Sequence, residues 1–483
     1  MDPKTRKILD NFKAISAIPR CSGNEATISR WLQQWAAEKG FAVKSDPSGN
    51  LKITVAASQG YEKAPVIVLQ GHMDMVCEKS PDSDHDFAKD PIRLAYEGDW
   101  LRAQKTTLGA DNGIALALGM ALVSDTGVEH PAIELLFTVD EESGLNGAKK
   151  LEAGFIQGKI FLNVDSETEG VFTVGCAGGR HTHIHKELAL QKLPDSNELF
   201  KITVQGLKGG HSGIDINRQR ANANKILGRA LDHINAECDI RLVSIQGGTA
   251  HNAIPRDATA TIACHPTRVK TLQDIIADFK HTVQSEYAAA EKNLSLSLLQ
   301  LENSHESKTA FSAADTALTI NLLLAIPHGA KDMSLNFENL VETSNNLATV
   351  NTEDSTLHIL TSQRSSVISR LAEMTASVEA TAALAGAATR YNNGYPPWQP
   401  DMDSVLLQRC KTLYKQLFNR EPVIEDIHAG LECAIIGSKY AGMDMISLGP
   451  TIENPHSPDE RLYIPSIDHV WTFLVALLKS YGK

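Results

Sequence analysis

Apolar residues follow two rhythms along this chain. In "APVIVLQGHMD" they run unbroken up to Gly71 and His72, and "AIELLFTVDEESG" and "GKIFLNVDSE" repeat the design, with an apolar run leading into an acidic cluster. Such runs read as strands buried on both faces, as in parallel or mixed α/β sheets. In sheets of that kind, ligands sit beyond the carboxyl ends of the strands. Helical spacing appears in "SGNEATISRWLQQWAAEKG", where Ile28, Trp31, Leu32 and Trp35 share a face, Ser22 and Glu25 resemble a capping box, and Gly40 ends the helix. "FAVKSDPSGNLKITVAA" predicts two strands around an Asp-Pro-Ser-Gly turn. "DNGIALALGMALVSD" predicts a helix with Asp111 at its start.

After about residue 186 the texture changes. "ELFKITVQGL", "DIRLVSIQGG" and "ATATIACH" read as strands, and "NRQRANANKILGRALDHIN" as a helix with Ala223, Ile226, Leu227, Ala230, Leu231 and Ile234 inward. A second helix–strand set follows, so this segment reads as two successive α/β units. The Pro/Gly-rich "GYPPWQP" breaks the pattern. Helices at "SVLLQRCKTLYKQLF" and "LECAIIGSKYAG", a strand at "MDMISLG" and a C-terminal helix then restore the first texture. The expected fold is α/β. A discontinuous catalytic, metal-binding domain (1–185 and 398–483) has a mixed, largely parallel sheet flanked by helices, and 186–397 form an inserted α+β lid domain.

Composition narrows the partners. The 483 residues suffice for two or three domains, and 42% apolar with 22% charged residues is an ordinary globular balance. A net charge of -12 with no long basic run argues against nucleic acid. No apolar run approaches the roughly 20 residues of a membrane span, and the N-terminus lacks a signal-peptide pattern. Seven cysteines, an odd number without a CxxC, make no disulfide framework and fit a reducing cytosol.

The strand ends carry the candidate chemistry: His72 and Asp74, then Glu141 and Glu142, then Asp165, with Asp111 opening a helix. Each alone has an ordinary reading as a turn, a solvated face or an N-cap. Gathered at one sheet edge they would repel one another unless a cation held them. Imidazole and carboxylate without thiolate suit Zn²⁺, Mn²⁺ or Co²⁺, and a bridging carboxylate is the usual means of holding two ions about 3.5–4 Å apart.

"GHMDMV", "GADNGI", "DEESG", "NVDSE" and "PHSPDE" resemble, in order and spacing, the co-catalytic zinc peptidases typified by glutamate carboxypeptidase, aminoacylase and carnosinase. "KGGHSGIDI", "HNAIPR" and "IHAGLECAI" are similar to their aminoacyl-histidine dipeptidase branch. The resemblance spans the whole chain. It implies two divalent ions, foremost Zn²⁺, with Asp111 bridging them, His72 and Asp165 on one, and Glu142 and His456 on the other. Glu141 would be the general base, and Asp74 would orient His72. A cis peptide is implied after Asp111. From the lid, His211 would donate to the developing oxyanion and Asn252 would hold a substrate carbonyl or carboxylate. Arg364 has two readings, a clamp for the substrate carboxylate or a solvated surface cation.

The "HTHIH" run (His181, His183, His185) reads as a polar strand face rather than a second metal site. Cys21, Cys77, Cys176 and Cys433 read as small buried residues. The implied reaction is hydrolysis of unblocked dipeptides, foremost those ending in His, in the cytoplasm. Deacylation of N-acyl amino acids on the same metals is the alternative. The implied small-molecule partner is a peptide; through the lid the chain either pairs with a second copy or, the lid being long, fills the partner's place within one chain.

Overall fold

The computed structural model describes residues 2–301, 309–392 and 394–482. The chain divides into two compact units, one of Met1–Cys176, Trp398–Asp426 and Leu431–Lys483, the other of Ala177–Pro397 and Ile427–Gly430. The first crossing therefore falls at Cys176, not after residue 185. Strand Gly178–Glu187 is paired along its length with Thr356–Ser365 and again with Ala388–Tyr391, so it is built into the second unit. Ile427–Gly430 joins the second unit for a similar reason: the Ala177 N–H donates to Ile427 O at 2.9 Å, and His428 Nε2 lies 2.7 Å from Ser344 Oγ. Within the first unit, Cys176 and Trp398 exchange both main-chain hydrogen bonds, at 2.9 and 3.0 Å.

The first unit is built on an eight-stranded sheet ordered Ala42–Ser45, Leu51–Val55, Ile133–Thr138, Ile67–His72, Ile160–Asn163, Asp444–Ser447, Val171–Cys176 and Val423–Ile427. Its centre is parallel, and the pairs Ala42–Ser45 with Leu51–Val55, and Leu51–Val55 with Ile133–Thr138, are antiparallel. All residues of Ile67–His72 and Ile133–Thr138 are buried, the polar Gln70, His72, Glu134 and Thr138 among them. Helix Ala110–Val123 is buried nearly all round and packs against helix Pro3–Ser16 and strand Ile67–His72. Pro3–Ser16 was not read from the sequence, although Pro3 at its start and Ile8, Leu9, Phe12 and Ile15 on its buried face mark it.

Helix Ala26–Glu38 forms without the expected capping box. Ser22 instead donates to Asp74, and Glu25 Oε1 accepts from Gly23 and Asp140. The Ser22 hydroxyl, which a cap would use to accept a first-turn N–H, is turned to donate to a buried carboxylate, a charge-assisted bond.

The second unit holds a nine-stranded sheet in which the assigned pairs are antiparallel, from edge strand Ser295–Gln300 to Ala388–Tyr391. The two expected α/β sets thus share one sheet and one core, in which Phe200, Ile202, Leu227, Ile262, Val350 and Ile359 are buried together. Among the described residues no helix is long and apolar enough to cross a membrane.

Candidate metal centre and active site

Parallel pairing brings the acidic strand ends to one line. His72 sits opposite Thr138, and Gln70 opposite Asn163, so the residues following Thr138 and Asn163 emerge beside His72. Gly71 leaves room for helix Ala110–Val123: a Cβ there would lie 2.3 Å from Asn112 Oδ1. Asn112 uses that space, accepting the His72 N–H at 3.2 Å and donating to Val164 O at 2.6 Å. The Asp111–Asn112 peptide is cis.

The polar atoms converge on Asp111. Its Oδ1 lies 3.0 Å from His72 Nε2, and its Oδ2 lies 3.0 Å from His456 Nε2. His72 Nε2 is also 3.5 Å from Asp165 Oδ1, and His456 Nε2 is 3.1 Å from Glu142 Oε2. Two triads, His72–Asp111–Asp165 and Asp111–Glu142–His456, each bring their ligand atoms within 4.8 Å of one another. A third grouping, His72–Glu141–Glu142, meets the same distance. Glu141 and Glu142 are distinguished by His456, which contacts Glu142. His456 reaches the cluster from a left-handed backbone position (φ 59°) between Pro455 and Pro458.

Asp74 organises the other side. Its Oδ1 lies 3.3 Å from His72 Nδ1 and accepts the Glu141 N–H at 3.1 Å. Its Oδ2 accepts the Glu142 N–H at 3.2 Å and the Ser22 hydroxyl at 2.8 Å. Burial opposes ionisation of Asp74, but the His72 ring and these donors hold its carboxyl far below the usual range.

Protonation in the cluster is unbalanced. Burial would lower the His72 pKa, yet Asp165, Asp111 and Asp74 raise it well above the ordinary value. Hydrogen bonds to Asp111 and Glu142 lift His456 to about 11. Burial pushes Glu142 and Asp165 up. Glu141 rises well above a normal carboxyl, chiefly through burial; His72 opposes the rise, and the charges of Asp165, Glu142 and Glu432 add to it. Protons here occupy a place that a divalent cation would take. Among the described residues, Glu142 Oε1 is buried without a hydrogen-bond partner. An all-N/O donor set with an orphaned carboxylate oxygen fits a hard or borderline divalent ion.

Three supporting residues were not read from the sequence. Glu460 accepts the N–H groups of Leu108, Gly109, Ala110 and Asp111 at 2.7–3.3 Å, gripping the loop that presents Asp111. The buried Arg20 guanidinium donates to the carbonyls of Met73, Asp74 and Gly109. Glu432, which burial lifts to about 7, accepts from Gln70 at 2.6 Å and Thr138 at 2.7 Å beneath the cluster. Only the quoted "PHSPDE" and "LECAI" hinted at the two acids; nothing local marked Arg20.

The second unit contains the remaining candidates. His211 pairs with Ala253 in a short two-stranded sheet, and the Asn252 carbonyl accepts the Ser212 N–H at 2.8 Å. His211 Nδ1 accepts the N–H groups of Gly213 and Ile214, each at 3.2 Å, which places the neutral ring's proton on Nε2. Arg364 is 6% exposed, which overturns its reading as a solvated surface cation. Its Nη1 donates to the Tyr395 hydroxyl at 2.8 Å, and its Nε has no partner among the described residues. Burial and the charge of Arg364 lower both His428, to about 3, and His251.

In the "HTHIH" strand, His185 Nδ1 lies 2.9 Å from His358 Nδ1 and His181 packs on His251. No triad of these rings reaches ligand distance among the described residues. Cys21 and Cys77 form a disulfide, correcting their reading as unpaired buried residues; the other five cysteines are buried thiols.

Residues 202–291 match the M20 peptidase dimerisation domain. Over 471 residues it is 42% identical to the cytosol non-specific dipeptidase of Escherichia coli K12, covering 98% of this chain and 96% of that protein. The crystal structure of aminoacylhistidine dipeptidase from Vibrio alginolyticus matches with a TM-score of 0.87 at 38% identity, over 98% of this chain and 96% of that one. Aminopeptidase PepT from Bacillus cereus shares the fold at 17% identity, with a TM-score of 0.57 over 99% of both chains. At that identity and coverage, the chain belongs to the family of the cytosol non-specific dipeptidase.

Proposed function

We propose that this chain is a two-metal dipeptidase of the cytosol that hydrolyses unblocked dipeptides, with Xaa-His peptides favoured. The carrying observation is that the two oxygens of Asp111 face two different histidines, His72 and His456, so that two ligand triads share one carboxylate. In this reading His72 and Asp165 hold one ion, Glu142 and His456 the other, and Zn²⁺, Mn²⁺ or Co²⁺ fits the donors. When bound, the ions supply Lewis acidity at the scissile carbonyl and acidify water.

Glu141 takes the proton from the attacking water and passes it to the leaving amine. Asp74 fixes the ring of His72 and, through the Glu141 and Glu142 N–H groups, the direction of both glutamates. The Nε2–H of His211 is a donor for the developing oxyanion. Arg364, a buried cation whose hydrogen-bond partner is a neutral phenol, takes the substrate's carboxylate, and Asn252 a neighbouring substrate oxygen. The relatives' names support dipeptides as the class, one non-specific and one aminoacylhistidine. A second copy of the chain is the macromolecular partner, through the matched dimerisation domain.

The test compares kcat/KM for Ala-His, Ala-Ala, Ala-Ala-His and acetyl-His before and after chelation. Dipeptide cleavage that vanishes with the metal and returns with Zn²⁺, Mn²⁺ or Co²⁺ supports the reading. Equal rates for Ala-His and Ala-Ala remove the His preference. Faster cleavage of the tripeptide overturns the dipeptidase assignment, and acetyl-His as best substrate replaces it with deacylation.

A further inference from the structure

The Cys21–Cys77 disulfide joins two loops that meet at Asp74. Cys21 lies between Arg20 and Ser22, both of which contact the other loop. The Arg20 side chain donates to the carbonyls of Met73 and Asp74, and the Ser22 hydroxyl donates to Asp74 Oδ2 at 2.8 Å. Cys21 itself pairs with Met75 in an isolated parallel bridge, and the Met75 N–H donates to Arg20 O at 3.1 Å. Beyond Met75 the disulfide is the link at Cys77, where the loop runs outward and both cysteines are half-buried. The loop closed by the bridge spans 56 residues and contains His72 and Asp74.

Two features set this pair apart from the other cysteines. The remaining five are buried thiols, so the chain has no general disulfide framework. Neither cysteine of the pair is fully buried, unlike the other five, and exchange requires that a thiolate approach a sulfur in line. In a reducing compartment a disulfide that forms at all is usually catalytic or redox-sensing.

We propose that Cys21–Cys77 is a reversible thiol–disulfide exchange site, served by a dithiol or glutathione-class thiol, whose state sets how tightly the metal centre holds its ions. One thiolate of the reductant attacks a bridge sulfur and forms a mixed disulfide, and the displaced cysteine leaves as thiolate and takes a proton. A second thiol attacks the mixed disulfide and releases the other cysteine. The reductant leaves as its own disulfide, and the protein has gained two electrons and two protons. The Arg20 contacts persist in the opened form, so the loops stay together. What loosens is Ser22, the donor adjacent to the broken link, and with it one of the contacts that aim Asp74 at His72. The consequence for metal rests on the reading of Asp74 as the group that orients His72. Losing an outer-sphere contact of this kind lowers metal affinity about 10- to 100-fold, and a loosened contact belongs at the low end, about tenfold.

The holoenzyme is equilibrated in glutathione buffers of graded redox ratio and quenched by alkylation. The bridged fraction is read by intact mass, retained metal by dialysis against a competing chelator, and kcat/KM on Ala-His. The expected result is a single two-electron transition, with metal retention falling about tenfold alongside it. The double variant C21S/C77S should sit at the reduced value and ignore the buffer. S22A should show the weakened retention while its bridge still titrates. Equal metal retention in the bridged and open forms overturns the proposal, as does alkylation of both cysteines in every buffer. Exchange in a protein that binds metal but cleaves no dipeptide would sink the dipeptidase reading alone, because bridge and metal are read without turnover.

Discussion

Glu460 accepts the N–H of Gly109 at 2.9 Å, from the loop whose other residue, His456, reaches Asp111 Oδ2. One loop therefore holds Asp111 at both ends, by its main-chain amide through Glu460 and by its carboxylate through His456. Gly109 adopts a left-handed conformation (φ 69°) that lets four successive N–H groups turn toward one carboxylate. Glu460→Gln replaces one acceptor oxygen with an amide that faces donors. It should destabilise the fold by about 1–3 kcal/mol and weaken metal retention by about tenfold or more. Thermal unfolding with elemental analysis checks this, and wild-type values for both would remove Glu460 from the support of Asp111.

Asp111 and Glu141 should separate metal binding from chemistry. Asp111→Ala removes the shared carboxylate and should lose most bound metal. Glu141→Gln should keep the metal and the fold while kcat drops by about 10²–10⁴. A metal-free Glu141→Gln protein would mean that Glu141 and Glu142 exchange roles, a real alternative since His72, Glu141 and Glu142 also lie within ligand distance.

Arg364→Ala should raise KM for Ala-His about tenfold or more with a smaller effect on kcat, because a carboxylate contact is present in ground and transition states alike. The wild-type enzyme should discriminate against Ala-His-amide, and the variant should lose that discrimination. Unchanged discrimination would assign the carboxylate to another residue.

Acid should weaken the second unit through His428. The folded protein keeps this ring neutral down to about pH 3, because burial and the charge of Arg364 disfavour the imidazolium, whereas the unfolded chain protonates near 6.5. The unfolded state thus binds more protons between these values. Stability is full above pH 6.5 and falls as pH drops toward 3, by about 1.4 kcal/mol per unit for one proton. His328, lowered to about 3 by burial, adds in the same direction. His428→Asn should flatten the loss of stability measured by denaturant titration between pH 6.5 and 4. A slope as steep as wild type would show that His428 is already charged when folded.

The parts of the site legible in sequence were those that local pattern dictates. The apolar run Val66–Leu69 announces the strand that ends at His72, and its repeated design in the strands before Glu141 and Asp165 matches the parallel register that gathers these acids. What escaped were contacts closed over long separations. Glu460 meets the Leu108 amide across 352 residues, and Glu432 meets Gln70 across 362. The burial of Arg364 depends on Tyr395, 31 residues away, and the disulfide spans 56. A local pattern also misled where tertiary structure offered a better partner: Ser22 had the spacing of a cap, but Asp74 took its hydroxyl. The crossing was placed too late because the alternation in "HTHIH" carries no sign of which sheet receives it.

The paired main chains of Cys176 and Trp398 make the point where the first unit's chain departs the same point where it returns. Most of the second unit is therefore strung between these two residues, and only Ile427–Gly430 reaches it from later in the chain. The acid–imidazole cluster draws none of its members from that span: His72, Asp111, Glu141, Glu142, Asp165 and His456 all belong to the first unit, which leaves and regains its own sheet at a single pair of residues.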